Sequence, residues 1–238
     1  MESSSTASES DIDVQLEVWS DVACPWCYVG RRNLSIALAD MEPHERPTVT
    51  WRAYQLDPTI PEEGVESESY YAHRFGADIS KLEEGRERLV VTGEEIGIDF
   101  RFDRQRTAAN THLVHRVLAA ADRHGEREPL LDAVFAANFE RGIDIGDAQA
   151  LHEVIVAQLG DEQLADEIID AAQNDEALVA AVDGDIALAR ELGITGVPCF
   201  VADRAIAVPG AVPPPVLAQL MAEARARTVA LVTDDSDD

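Results

Sequence analysis

Positive charge is scarce in this sequence. Its 238 residues include 19 Lys or Arg against 46 Asp or Glu, which gives a formal net charge of -27, and Lys81 is the only lysine. Proteins that bind nucleic-acid phosphate or anionic lipid need basic surfaces that attract these polyanions. We therefore expect neither nucleic acid nor a membrane surface as a partner.

The shortage of lysine also bears on the solvent in which the protein works. A dense carboxylate surface with almost no lysine resembles proteins from halophiles, in which molar salt shortens the Debye length to about 3 Å and screens carboxylate repulsion. We expect the thermal unfolding midpoint to rise when dilute buffer is replaced by molar KCl. A midpoint that does not rise would contradict this halophilic interpretation.

Long hydrophobic runs and a secretory leader are also lacking. No stretch approaches the roughly 18 consecutive apolar residues that span a bilayer. Residues 1–13 are rich in Ser and Glu, without the basic and apolar regions of a signal peptide. We therefore predict a cytoplasmic protein. In a reducing cytosol, its three cysteines are expected to be catalytic or metal-binding rather than structural.

Hydrophobic periodicity divides the chain into an α/β part and a helical part. Period-2 alternation and short apolar or β-branched runs predict strands at residues 13–20, 48–56, 199–202 and 205–208. Helical spacing runs from Cys27 to Leu38 and continues in segments near residues 66–75, 78–97, 107–124, 128–141, 147–159, 161–172, 175–192 and 214–227.

Removal of the long helical block leaves a compact four-stranded α/β unit. The predicted fold class is therefore α/β with a large all-helical insertion. The α/β unit comprises residues 13–58 and 175–228, and the insertion comprises residues 59–174. Residues 1–12 are predicted to be a disordered acidic segment, and residues 229–238 an acidic tail.

The sequence Cys24-Pro25-Trp26-Cys27 lies where the first predicted strand passes into the first helix. The N–H groups and the positive dipole end of a helix start favour an anion, so a thiolate at an exposed Cys24 is stabilised. We predict that Cys24 attacks substrate disulfides and that the desolvated Cys27 resolves the mixed disulfide. Pro25 suits a first helical turn, and Trp26 offers a flat apolar surface to a substrate. No cofactor beyond this redox-active pair is expected.

Two plainer interpretations of the cysteine pair stay open. The spacing could be structural or accidental, or it could be half of a zinc site. The best further zinc ligands would be Cys199 or the pair His112 and His115. Zinc requires four ligands, and the sequence contains no second CxxC. We therefore predict no metal site.

Four sequence features occur together in this chain: the stretch Ser20–Gly30, the strand end Trp51–Leu56 followed by Pro58, the segment Asn110–Arg116, and the turn Gly193–Pro198. Together they resemble the DsbA-like thioredoxin superfamily, in particular its FrnE-type branch. The resemblance implies a thioredoxin-like fold whose helical insertion packs over the active site. It also implies a cis Pro198 opposite the cysteine pair, with the backbone of Val197 pairing with an extended substrate. A trans proline in an ordinary turn is the alternative.

Three further residues are candidate accessory residues. Cys199 follows Pro198 directly, where members of the resembled family usually carry an apolar or small residue. It either takes part in thiol chemistry or packs as a small hydrophobe. Asn110 and His115 lie on the segment that approaches the active site in that family. A polar helix face without a catalytic role is the alternative for both residues.

The predicted function is that of a protein-disulfide oxidoreductase acting on protein or small-molecule thiols and disulfides. The alternative is a kappa-class glutathione transferase or 2-hydroxychromene-2-carboxylate isomerase, because these enzymes share the layout. They place a serine at the position of Cys24, however, and lack a resolving thiol. A third interpretation is a holdase that binds unfolded chains through the helical domain. The direction of exchange and the oligomeric state stay open.

Overall fold

The computed structural model of the protein describes residues 13–76 and 79–234. Its strands are β1 (Gln15–Ser20), β2 (Thr48–Ala53), β3 (Val65–Glu66), β4 (Thr107–Ala108), β5 (Cys199–Ala202) and β6 (Ile206–Pro209). Its α-helices are α1 (Pro25–Ala39), α2 (Ser67–Phe75), α3 (Ile79–Ile96), α4 (His112–Asp122), α5 (Arg127–Ala136), α6 (Ala148–Leu159), α7 (Glu162–Asn174), α8 (Glu176–Glu191) and α9 (Pro214–Asp234).

A four-stranded mixed sheet with the order β2-β1-β5-β6 forms the α/β part. β1 is parallel to β2 and antiparallel to β5, and β5 pairs with β6 as a hairpin. A parallel pair cannot be closed by a tight turn, and the crossover from β1 to β2 contains α1. The predicted α/β class with a helical insertion is confirmed. The predicted domain boundaries stay predictions.

β1 is buried on both faces, although polar and apolar residues alternate in its sequence. Leu16 and Val18 belong to the main hydrophobic core, in which the helices of the insertion also pack. Trp19 points into a second cluster with Cys199 and Val201. Its indole N–H donates to the carbonyl of Asp185 on α8, at 3.2 Å. The second face is covered because α8 returns to pack on the sheet.

The insertion contains a small ladder as well as helices. β3 and β4 are antiparallel, and β4 occupies the start of the helix predicted for residues 107–124. α4 begins only at His112, whose N–H donates to the side-chain oxygen of Asn110 at 2.9 Å. The predicted helix is therefore too long at its N-terminal end, because β3 pairs with the residues before Asn110.

The insertion is fixed to α1 by a buried arginine and a tyrosine. Arg31 is 6% exposed and donates two hydrogen bonds of 2.8 Å to Asp132 on α5. Tyr28 stacks on Phe135 at a centroid distance of 5.1 Å and donates to Glu140 at 2.7 Å. Glu140 belongs to a π-helical turn that follows α5. Both contacts hold the helix that carries Cys27.

α9 continues past its predicted end at Arg227. The helix reaches Asp234, and the hydroxyl of Thr228 donates to Asp203 in the turn between β5 and β6, at 3.1 Å. This contact fixes the helix where the acidic tail was predicted to begin. The predicted disordered segment, residues 1–12, and the last tail residues, 235–238, lie outside the described residues.

Glu17 links three parts of the sheet and makes its stability depend on pH. Its buried carboxylate accepts hydrogen bonds from Arg204 at 2.8 Å and Arg52 at 2.7 Å. These bonds, that of Arg204 first, hold the pKa of Glu17 below its ordinary value of 4.5. Because the folded-state pKa is depressed, the stabilisation is fully present above pH 4.5 and is lost as the pH falls through the lower value.

We expect the Glu17→Gln variant to be less stable than the parent protein at neutral pH. Its free energy of unfolding should fall less than that of the parent as the pH drops below 4.5, the ordinary pKa of the carboxyl. Urea unfolding at a series of pH values measures both effects. An acid dependence identical to that of the parent would contradict this role of Glu17.

Candidate active site

The cysteine pair lies at the junction of β1 and α1, as predicted. Cys24 is the N-cap residue, with extended backbone angles of φ -95 and ψ 112, and Pro25 follows in the first turn. The N–H of Cys27 donates to the carbonyl of Cys24 at 3.0 Å. Among the described residues, no side chain caps α1, and its first turn contains no acidic residue. The positive end of the α1 dipole therefore acts on the sulfur of Cys24 without competition from a capping side chain or an acidic residue of the first turn.

Both thiols are buried. Cys24 is 6% exposed and Cys27 is 1% exposed, and both are free cysteines. The expectation of an exposed Cys24 is therefore wrong. The sulfur is covered because its S–H donates to the carbonyl of Val197, at 3.5 Å. Trp26 is 38% exposed and presents the apolar surface that its position predicts.

Cys27 is held in the protonated form. Burial raises the pKa of its thiol well above the ordinary value of 9.0, and a hydrogen bond with Cys24 raises it further. The backbone N–H of Asp21 and the hydroxyl of Ser20 lower it, because both stabilise a thiolate. Cys27 is therefore suited to act second, when loss of its proton accompanies bond formation.

The turn before β5 approaches the cysteine pair from the opposite side. The peptide bond between Val197 and Pro198 is cis. The carbonyl of Val197 is the acceptor for Cys24, and the ring of Pro198 packs next to Gly30 on α1. The structure thus brings Val197 and Pro198 to the cysteine pair, as the resemblance implies.

Gly30 leaves the space that Pro198 occupies. A Cβ at position 30 would lie 2.8 Å from Cγ of Pro198. We expect Gly30→Ala to displace the proline turn, to slow disulfide exchange and to cost about 1–3 kcal/mol of stability. Urea unfolding and a turnover assay measure the two effects. Gly184→Ala on α8 is the control, because a Cβ there meets nothing within 4 Å. Equal effects of the two substitutions would contradict the prediction.

Cys199 belongs to a different hydrophobic cluster from that of the cysteine pair. It is 5% exposed and packs with Trp19 and Ala189. Burial raises the pKa of its thiol. The surroundings of Cys199 favour the packing interpretation over thiol chemistry.

Asn110 and His115 are held by backbone contacts. Asn110 donates to the carbonyl of Ile60 at 2.6 Å and accepts from Gln55 at 2.9 Å. His115 is 3% exposed, and its Nε2 lies 2.9 Å from the carbonyl of Tyr54. A carbonyl only accepts, so this nitrogen carries the proton. Asn110 and His115 therefore position the loop after β2, and within the described residues none of their hydrogen bonds is to a cysteine sulfur.

Asp21 is a site residue to which the sequence analysis gives no role. It is 1% exposed, and its carboxylate accepts from the N–H of Ala23 at 3.1 Å and of Leu56 at 2.7 Å. His115 Nε2 is 3.6 Å from the same carboxylate. Asp21 therefore joins the turn before Cys24 to the loop after β2. An acidic residue between a predicted strand and a CxxC is the signal that could have revealed it.

A cleft of about 340 Å³ opens next to the start of α1, where it is lined by residues adjacent to Cys24 and by neither cysteine. Its wall near the pair includes Asp21, Pro25 and Trp26. The opposite wall comes from α2, α3 and the segment after α3, and includes Tyr70, Tyr71, Arg74, Phe75, Lys81, Arg86 and Phe102. Sequence patterns did not predict this cleft, although aromatic and basic residues, both scarce in the chain, are concentrated in residues 70–86.

The zinc interpretation finds no support at this site. Among the residues that the structure describes, no group of three or more His, Cys, Asp or Glu side chains could hold a metal ion. His112 instead contacts Asp183 at 3.0 Å. Within the same described ranges, no helix is both long and apolar enough to cross a bilayer.

The family of the chain follows from a match that covers most of its length. The sequence model of the DSBA-like thioredoxin domain matches residues 15–222. The chain belongs to this family. The match extends from β1 into α9, so this DSBA-like thioredoxin domain includes the cysteine pair, the helical insertion and the cis-proline turn. The predicted thioredoxin-like fold is confirmed, and the FrnE-type branch stays a prediction.

Solved structures are similar to this DSBA-like domain along nearly its whole length. A probable DsbA oxidoreductase from Streptomyces coelicolor is 31% identical, with a TM-score of 0.78 over 89% of each chain. The cytosolic disulfide reductase DsbM from Pseudomonas aeruginosa, solved with GSH, is 18% identical, with a TM-score of 0.58 over 92% of this chain and 99% of that one. A 2-hydroxychromene-2-carboxylate isomerase is 18% identical, with a TM-score of 0.62 over 91% and 98%. Comparison with curated proteins finds no match.

Proposed function

We propose that the protein is a thiol-disulfide oxidoreductase that exchanges disulfides with protein substrates through Cys24 and Cys27. The observation that carries the proposal is the arrangement of the two thiols. Cys24 is the N-cap residue of α1, and Cys27 is buried behind it within hydrogen-bond distance. The positive end of the α1 dipole lies at the first sulfur, and burial raises the pKa of the second thiol. One cysteine is thereby prepared to attack and the other to resolve.

The exchange consists of two balanced displacements. The Cys24 thiolate attacks one sulfur of a substrate disulfide, and the other substrate sulfur leaves as a thiolate that takes a proton. Cys27 then gives up its proton and attacks Cys24. The mixed disulfide breaks, the Cys24–Cys27 bond forms, and the second substrate sulfur leaves as a thiol. The substrate is reduced by two electrons and the protein is oxidised by two. The reverse sequence oxidises a dithiol.

The surroundings of Cys24 support a polypeptide as substrate. The backbone of Val197 lies next to the sulfur, and an extended chain could add to it through main-chain hydrogen bonds. Trp26, two residues after Cys24, is exposed and could pack against apolar substrate side chains. Neither contact depends on a particular substrate sequence.

Two activities measured on the same preparation test the proposal. We expect the protein to catalyse reduction of insulin disulfides by dithiothreitol and to show no conjugation of glutathione to an electrophile. Conjugation of glutathione without reduction of insulin would contradict the proposal and favour the kappa-class alternative. Suppression of aggregation by a Cys24→Ser, Cys27→Ser double variant, combined with no redox activity in the parent protein, would favour the holdase. The cytoplasmic location and the FrnE-type branch belong to the same proposal.

A further inference from the structure

We propose that a polar cavity between helices α4 and α7 binds a small carboxylate that also carries N–H or O–H groups, and that this carboxylate is the counterion of Arg116. The cavity has a volume of about 780 Å³ and is lined by neither cysteine of the pair. The inference therefore concerns a second binding site and does not depend on the proposed exchange of disulfides. It is carried by an unpaired arginine, a helix start and a rim of amide side chains.

The cavity and the cleft next to α1 lie on opposite sides of one wall. In the loop after β2, Leu56 lines the cleft, whereas Gln55 lines the cavity. In the segment before α4, Thr111 lines the cleft, whereas Asn110 lines the cavity. A ligand in the cavity is therefore separated from the cleft by these two segments.

Arg116 on α4 is a half-buried cation without a counterion. Within residues 13–76 and 79–234, its Nε is covered from solvent and has no hydrogen-bond partner, and no carboxylate lies within ion-pair distance of its guanidinium. Two other arginines with buried or half-buried side chains, Arg31 and Arg52, each contact two carboxylates. Removal of a cation from water is costly unless an opposite charge or hydrogen bonds compensate for it. A carboxylate in the cavity would provide this compensation in the two-point geometry that suits a guanidinium.

The start of α4 adds to the attraction for an anion. His112 and Leu113, in its first turn, line the cavity together with Arg116, which lies one turn further along the same face. This first turn contains no acidic residue. The described lining of the cavity contains one acidic residue, Glu62, which is exposed to solvent. The positive end of the helix dipole and the guanidinium therefore act on the same space.

Amide side chains give the cavity hydrogen-bonding groups of both kinds. Gln55 donates to Asn110 at 2.9 Å, and Asn174 donates to Asp170 at 2.9 Å. In the part of the chain that the structure describes, the side-chain oxygens of Gln55 and Asn174 accept no hydrogen bond, and the amide of Gln173 has no partner. Free amide oxygens suit N–H or O–H groups of a ligand, and free amide N–H groups suit its oxygens. The lining therefore favours a hydrophilic molecule over an apolar one.

The size and the charge of the cavity favour a small monocarboxylic acid. A volume of about 780 Å³ lies within the range of roughly 300–1,000 Å³ for small-molecule sites. Arg116 supplies one unpaired positive charge, because His112 contacts Asp183 at 3.0 Å. A single cationic group matches a monocarboxylate better than a polyanion. The ligand class is therefore a small monocarboxylic acid with amide or hydroxyl groups.

Binding of two probes that differ in charge tests the inference. N-acetylglycine carries a carboxylate and an N–H group, and N-acetylglycinamide has a neutral amide in place of the carboxylate. Each probe is titrated into the whole chain at constant ionic strength, and its dissociation constant is taken from the saturable rise of the thermal unfolding midpoint. We expect N-acetylglycine to bind about tenfold more tightly, because the neutral probe lacks a charged hydrogen bond to Arg116.

Two arginine variants locate the site. Arg116→Gln should weaken the binding of N-acetylglycine about tenfold and remove the preference over the neutral probe. Arg88→Gln is the matched control and should bind both probes as the parent protein does, since Arg88 is exposed on α3 and does not line the cavity. If Arg116→Gln is unfolded, Gln173→Trp takes its place. Gln173 is exposed at the rim, and an indole there should fill the cavity and abolish binding.

Equal binding of the two probes to the parent protein would overturn the inference. Unchanged binding of N-acetylglycine in Arg116→Gln or in Gln173→Trp would place the anion elsewhere and overturn it as well. An acetylated hexapeptide that ends in the same glycine has the same chemistry, and it should bind no more tightly than N-acetylglycine. Tighter binding of the hexapeptide would overturn the small-molecule assignment in favour of the end of a polypeptide chain. These measurements require no turnover, so the inference and the proposed function can fail independently.

Discussion

Cys27→Ser should leave the protein covalently joined to its substrate. Cys24 can still attack, but the buried thiol that would release the mixed disulfide is gone. We expect turnover to fall by at least about 10³-fold, as for other enzymes that lose one member of a catalytic group. The adduct should be visible by mass spectrometry and should disappear on treatment with dithiothreitol.

Cys24→Ser provides the contrast. It should lose turnover to the same extent and form no adduct, because Cys27 is 1% exposed and its pKa is raised by burial. Cys199→Ala removes the thiol that lies in a separate cluster and should retain turnover. Normal cycling of Cys27→Ser would contradict the assignment of attacking and resolving roles. Loss of turnover in Cys199→Ala would bring the third cysteine into the chemistry.

Asp21→Ala should be the most destabilising single change of a polar side chain at the site. The substitution leaves the N–H groups of Ala23 and Leu56 without their acceptor. Because the accepting carboxylate is 1% exposed, the loss of each bond should cost about 1–3 kcal/mol, so we expect a loss of about 2–6 kcal/mol in the free energy of unfolding. Exchange should also slow, because the same turn places Cys24. Urea unfolding and the insulin assay measure the two effects.

Two further variants show which property of Asp21 matters. Asp21→Asn keeps one carbonyl oxygen as acceptor, so its loss of stability should lie between those of the parent and the alanine variant. Asp13→Ala removes an exposed carboxylate that contacts Thr48 at 2.9 Å, and it should change stability by no more than about 0.5 kcal/mol. A similar small loss in Asp21→Ala would mean that water replaces the missing acceptor.

Local patterns were sufficient to predict the fold class and the position of the cysteine pair at the junction of β1 and α1. Alternation and helical spacing report which residues of one element share a face, and the CxxC at the strand-to-helix junction specifies its own geometry. Burial of β1 on both faces was not predictable in this way. Trp19 is covered because α8 returns more than 150 residues later in the chain. The same long-range packing places Val197 over Cys24 and makes the expected exposure of that sulfur wrong.

Sequence patterns also did not predict the features that form where segments far apart in the sequence pack together, because such patterns report only on neighbouring residues. α4 begins only at His112 because the residues of β4, which precede it, pair with β3. Strands of two residues leave almost no periodic signal in the sequence. The cleft is visible only when α2 and α3 are placed beside Trp26. The structural role of Asp21 depends on its bond with the N–H of Leu56, which is 35 positions away in the sequence.

The hydrogen bond between Cys24 and the carbonyl of Val197 exists only while the sulfur carries its proton. Ionisation of Cys24 leaves two acceptors facing each other, so the carbonyl loses its donor at the moment when the sulfur becomes reactive. An incoming backbone N–H can then take the place of the lost proton. In the proposed exchange, ionisation of Cys24 would therefore activate the nucleophile and at the same time free this carbonyl to accept from the substrate backbone.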